Sequence, residues 1–90
     1  MIIHRYSDPG HSWFKVNKSW LDVVVGEHWR KMFSPFSYES DKAVFLEEDC
    51  DYPKLLKFVQ MERKHIKIRY TEHHTNKRSR IRNYQPLAPI

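Results

Sequence analysis

A single cysteine, Cys50, stands in a chain of ninety residues. No intrachain disulfide can staple a fold of this size, so folding has to draw on a hydrophobic core. A chain this short buries only about 60–65% of the surface its unfolded form exposes, which calls for side chains with large buried areas. Three Trp, five Phe and five Tyr supply them. That aromatic density argues against disorder despite 30% charged residues. The lone cysteine, and an N-terminus (Met1-Ile2-Ile3-His4-Arg5) without an apolar export stretch, lead us to expect a reducing cytoplasm. No segment approaches the roughly 20 apolar residues of a membrane helix, and Val23-Val24-Val25 is soon interrupted.

Local patterns predict an α+β domain. Ile2 to Tyr6 reads as a strand closed by the turn Ser7-Asp8-Pro9-Gly10, in which Asp opens, Pro fixes φ and Gly tolerates positive φ. His11 to Val16 alternates as a second strand, with Trp13 facing opposite to Phe14. Ser19 is expected to cap a first helix with Asp22 completing a capping box. Leu21, Val25, Trp29 and Met32 then share one face until Ser34-Pro35 ends it, while Gly26 and the valine triplet weaken it. Phe36 to Tyr38 and Ala43 to Leu46 flank a polar turn and predict a hairpin. Asp51 precedes Tyr52-Pro53 as the cap of a second helix, whose apolar face carries Tyr52, Leu55, Leu56 and Val59. Ile66, Ile68 and Tyr70 alternate with Lys67, Arg69 and Thr71 as a last strand with one buried face. This order predicts a two-layer sandwich in which an antiparallel or mixed sheet of four to five strands is covered by two helices. Fusing the first two strands yields the split-βαβ order. Residues 1–84 form the expected domain. Residues 85–90 form a proline-extended tail whose Leu87 and Ile90 dock on the body or on a second copy.

Charge is unevenly placed. The net charge is +5, yet residues 39–51 hold six carboxylates against Lys42 alone, and residues 61–82 hold eight Lys and Arg against Glu62 and Glu72. The run Glu47-Glu48-Asp49-Cys50-Asp51 suggests a hard-cation site or a paired-carboxylate, metal-dependent hydrolase. It lacks the glycine and further ligands of a calcium loop, and carboxylates at a helix N-terminus explain it more simply. Six histidines are present, but His73 and His74 are adjacent and point to opposite strand faces. His4 and His11 flank the first turn and are candidates to pair across it. No zinc spacing is assembled, and two glycines exclude a glycine-rich phosphate cradle. Cys50 among acids is expected to have a raised pKa and so to be a poor nucleophile. Neither a metal nor a cofactor is expected.

The strongest binding candidate is Asn76 to Tyr84. If extended, Arg78, Arg80 and Arg82 project on one side about 6.6–7 Å apart, near the spacing of successive phosphates. Lys67, Arg69 and Lys77 add charge, and Tyr84 offers a stacking face. Two plainer readings are an edge protected by positive charge and arginines bridging Glu47, Glu48 and Asp49. Trp13 and Tyr38 are further aromatic candidates for a contact surface.

Gly10-His11-Ser12-Trp13, Leu46-Glu47-Glu48-Asp49-Cys50-Asp51 and Ser79-Arg80-Ile81-Arg82-Asn83-Tyr84 resemble patches in a group of small uncharacterised proteins of bacteriophages and other mobile elements. The resemblance implies a bacterial host cytoplasm and carries no activity to transfer. It favours a non-enzymatic accessory protein that binds and modulates a host macromolecule, with a host protein as first partner. Direct nucleic-acid binding through the basic arm is the alternative, and metal-dependent hydrolysis by residues 47–51 a further one. A homodimer is compatible with either binding mode.

Overall fold

A computed structural model describes residues 1–88 and shows a six-stranded mixed sheet with two α-helices on one face. Strands β1 (Ile2–Ser7) and β2 (Ser12–Asn17) form the first hairpin, with Tyr6 opposite Trp13. They are separate antiparallel strands, not one continuous strand. The hairpin β3 (Tyr38–Glu39) and β4 (Ala43–Glu47) pairs through β4 with β2. β5 (Arg69–His74) lies parallel to β1, and β6 (Gln85–Pro86) pairs with β3. The resulting order, β5-β1-β2-β4-β3-β6, places the last two strands at opposite edges. Between them the chain crosses the sheet.

Side-chain alternation divides the sheet into two differently covered faces. Ile3, Val16, Val44 and Leu46 meet Leu21 and Val24 of α1 (Lys18–Val24) and Tyr52, Leu55 and Val59 of α2 (Tyr52–Glu62). Phe14 stacks on Tyr52 at 3.8 Å between ring centroids. The opposite face carries a smaller cluster of Trp13, Ala43, Phe45 and Ile81, flanked by Tyr6 and Tyr38. Every residue of β4 is buried, as expected of a strand covered on both sides.

Three local expectations are corrected. The first helix starts at Lys18 after Asn17, leaving Ser19 inside it, and it ends at Val24. Gly26, at φ +117°, turns the chain where few other residues can follow, and Trp29–Met32 continues only as a 3-10 turn. Asp22 makes no cap; it accepts the Trp29 indole N–H at 2.8 Å. The last strand begins at Arg69, so Ile66 and Ile68 precede it and pack against the helix-side core, while all six residues of β5 are exposed. Apolar alternation there records docking beside the helix, not pairing in the sheet. Asp51 precedes α2 as expected, but its carboxylate makes no capping hydrogen bond.

Leu87 docks on the body, where it is buried and donates its N–H to the Ser37 carbonyl at 2.8 Å. Ile90 lies outside the described residues. Among the described residues no helix is long and apolar enough to cross a membrane.

Candidate functional site

The basic arm is a strap over the second sheet face. β5 ends where the Thr75 N–H meets the Ser7 carbonyl, and the chain then crosses toward the β6 edge. Ile81 explains the path: as the apolar residue within a charged run, it buries against Trp13, Ala43 and Phe45. Ser79 caps the 3-10 turn Arg80–Asn83 by accepting the Ile81 N–H at 3.2 Å.

Asp8 latches the strap. Its Oδ1 accepts the N–H groups of Gly10 and His11, each at 3.0 Å, and Arg82 Nη2 at 2.9 Å. Its Oδ2 accepts Arg82 Nε at 2.7 Å and the Ser79 N–H at 3.0 Å. The Asp8 side chain is 1% exposed, so the first turn and the strap share one buried carboxylate. The Arg82 guanidinium, together with these N–H donors, holds the Asp8 carboxyl far below the usual carboxylate range. Arg82 also lies over the Trp13 ring, 5.2 Å from its centroid. A Cβ on residue 10 would fall 2.8 Å from Arg82 Nη2, so glycine there admits the guanidinium.

The extended row of three arginines is therefore not formed. The strap follows a turn, and Arg82 is spent on Asp8, not on the acidic run at 47–51. Arg78, Arg80 and Lys77 remain exposed and make no salt bridge among the described residues. With Lys15 of β2 they line a groove of about 530 Å³ between strap and sheet. Its other walls are Tyr6, Phe45, Ile81 and Tyr84, with Thr75 and Ser79, and no carboxylate lines it among the described residues. Tyr84 leans on Phe45 at 5.1 Å and Tyr6 stacks on His73 at 4.6 Å. Lys67 and Arg69 are exposed but do not line the groove.

On the other side of Arg82 a pocket of about 330 Å³ is lined by Trp13, Phe36, Tyr38, His11, Glu47, Asp49, Cys50 and Arg82. Trp13, expected at an exposed contact surface, is 2% exposed because Arg82 and Tyr38 cover it. Tyr38 is half-buried. Phe36 is 70% exposed. Glu47 Oε2 accepts the N–H groups of Asp49 at 3.0 Å and Cys50 at 2.7 Å, which fixes the turn after β4. Its Oε1 lies 3.8 Å from His11 Nδ1. Desolvation and the nearby Glu47, Asp51 and Asp49 carboxylates raise the Cys50 thiol above its ordinary value.

The structure disperses the acidic run. Glu47 faces the pocket, whereas Glu48 lies on the helix side bonded to Arg5 at 3.0 Å, beside Glu72. Asp51 is fully buried, accepting the Ser34 N–H at 3.0 Å, Ser34 Oγ at 2.8 Å, Ser37 Oγ and Lys54 Nζ at 3.2 Å. Among the described residues no three His, Cys, Asp or Glu side chains converge as metal ligands. His4 bonds His73 on β5 at 2.9 Å instead of pairing with His11, because its register partner on β2 is Lys15 while His11 lies in the turn before that strand. His74 points the other way, to Ser7 Oγ at 2.9 Å.

Sequence reasoning missed Asp8 as the latch, and Lys15, Tyr6, Phe45 and Phe36 as lining residues. For Lys15 a signal existed: β2 alternation places it on the Trp13 face, where a charge in mid-strand implies an open surface. No protein-family model matches the chain, nor does any curated protein or solved structure at a significant level.

Proposed function

We propose that this is a non-enzymatic binding protein that holds single-stranded nucleic acid in the groove between strap and sheet. The observation that carries this reading is the lining: Lys15, Lys77, Arg78 and Arg80 share one groove with Tyr6, Phe45 and Tyr84, with no carboxylate among the described residues that line it. Cations along a groove answer phosphates, and aromatic faces stack on unpaired bases of any sequence.

The test is fluorescence anisotropy with labelled ten-nucleotide oligothymidylate across a salt series. Four phosphate contacts correspond to a slope of log affinity against log salt of about −2.8, or roughly fifty-fold weaker binding between 50 and 200 mM salt. Replacing Lys77, Arg78 and Arg80 by alanine should bring the slope to about −0.7. An unchanged slope rules the groove out. A second reading, a host protein as partner, draws on Phe36, whose ring is 70% exposed beside the pocket. Pulldown from bacterial lysate with and without nuclease separates the two, since a protein partner survives the nuclease.

A further inference from the structure

We propose that the pocket on the far side of Arg82 seats one guanine base of a strand lying in the groove. This rests on the nucleic-acid reading and adds base preference to it. About 330 Å³ sits at the low end of small-molecule sites and suits one heterocycle. The pocket draws its lining from four segments of the chain: His11 and Trp13, Phe36 and Tyr38, Glu47 to Cys50, and Arg82.

The walls fit a planar ring. Trp13, Phe36 and Tyr38 line the pocket, and Phe36 keeps most of its ring in water. A base stacked on that ring removes apolar surface that nothing else in the described structure covers. The polar groups fit a particular base. Glu47 Oε1 and the exposed Asp49 carboxylate are acceptors. On the donor side, Arg82 commits Nε and Nη2 to Asp8, leaving Nη1 without a partner among the described residues. Trp13 Nε1 is the buried side-chain donor that has no acceptor among the described residues. Guanine alone among the bases carries two adjacent donors, N1–H and the N2 amino group, beside the acceptors O6 and N7. A carboxylate takes that donor edge while the arginine N–H answers O6 or N7, and the Trp13 indole beside them reports the occupancy. A bare alkylammonium ion would satisfy the carboxylates but leave the arginine N–H unanswered.

Pocket and groove adjoin. Arg82 lines the first and Arg80, Ile81 and Tyr84 the second, all within one short turn. Tyr38 of the pocket stands in register with Phe45 of the groove. A strand on the Lys and Arg side therefore has a base within reach of Phe36.

The test uses the whole ¹⁵N-labelled chain, titrated with GMP, AMP and UMP while the Trp13 indole N–H resonance is followed. GMP should shift it saturably and bind at least about five-fold tighter than AMP or UMP, the discrimination expected of one bidentate edge contact. Phe36→Ala, at an exposed position, should weaken GMP at least about five-fold, and Asp49→Asn should lower the preference for GMP over AMP. Equal responses to the three nucleotides overturn the proposal. Oligothymidylate with and without one central guanine then separates the two claims. If both bind equally with the same salt slope, the guanine pocket falls and the groove stands. If thymidylate fails to bind while GMP still titrates Trp13, the groove falls and the pocket stands.

Discussion

Removing the latch, by Asp8→Ala, is the most direct perturbation of the strap. Cutting one partner from a buried ion pair costs about 3–5 kcal/mol, because the remaining charge is left unanswered. Here the Arg82 side chain is 25% exposed and Gly10 and His11 are exposed, so water recovers part of the loss. The Ser79 N–H is only partly exposed and recovers less. The low end, about 3 kcal/mol, is therefore expected. A chain of ninety residues carries roughly 5–13 kcal/mol of total stability, so the variant should still fold. With a urea m-value of about 1.2 kcal/mol/M, the unfolding midpoint should fall by about 2–3 M. Hydrogen exchange should localise the effect, with the Ile81 and Tyr84 amides losing protection before those of β2 and β4. A loss below about 1 kcal/mol with unchanged strap protection would refute the assignment of Asp8 as the latch.

Three further outcomes follow from the same contacts. Gly10→Ala places a methyl carbon 2.8 Å from Arg82 Nη2, which Asp8 holds in place, and should cost about 1 kcal/mol in urea unfolding while leaving β1 and β2 paired. Asp51→Ala strips a buried acceptor from the Ser34 N–H and the Ser34 and Ser37 hydroxyls and should cost about 3 kcal/mol, with Ser37→Ala coupled to it in a double-mutant cycle. Glu39, gripped by Arg30 and Lys18 and by the Ala88 N–H, has its pKa lowered to about 2. A depressed folded-state pKa contributes stability that is complete above the unfolded value near 4.3 and is lost as pH falls toward 2. Urea melts of the wild type should weaken over that window, and Glu39→Gln should flatten the dependence. Asp8 adds to the same acid loss, over a range that extends lower.

Much of the frame was legible from short-range pattern. The first hairpin, the β3–β4 hairpin and α2 stand within a residue or two of expectation, because alternation, Pro and Asx turns act over a few residues. The two-layer α+β arrangement followed from having two apolar helix faces to cover. What failed were features decided by distant partners. Gly26 was recognised as a weakness in the first helix but not as its end, since its left-handed turn is stabilised by the packing of Trp29 beyond it. Ile66 and Ile68 alternate like a strand, yet their partners lie on the helix-side core and not on β1. Three arginines dominate the arm, so its sequence admits a free row as well as arginines paired within the fold. Ile81, a lone apolar residue among them, was the sign that the segment lies down on something, but no local rule names Asp8 as the anchor. The acidic run is contiguous in sequence, while strand alternation and the following turn send its members to three environments.

The latch has a consequence for how the molecule opens and closes. Asp8 and Arg82 are 74 positions apart, so their meeting closes nearly the whole chain into a loop. The entropic cost of that closure becomes small only after the intervening strands have paired, which places the contact late on the folding route. Weakening it should accelerate unfolding while leaving the folding rate almost untouched. The strap is thus the last part to settle and the first to lift, and each lifting bares the Trp13 and Phe45 face while the rest of the sheet stays intact.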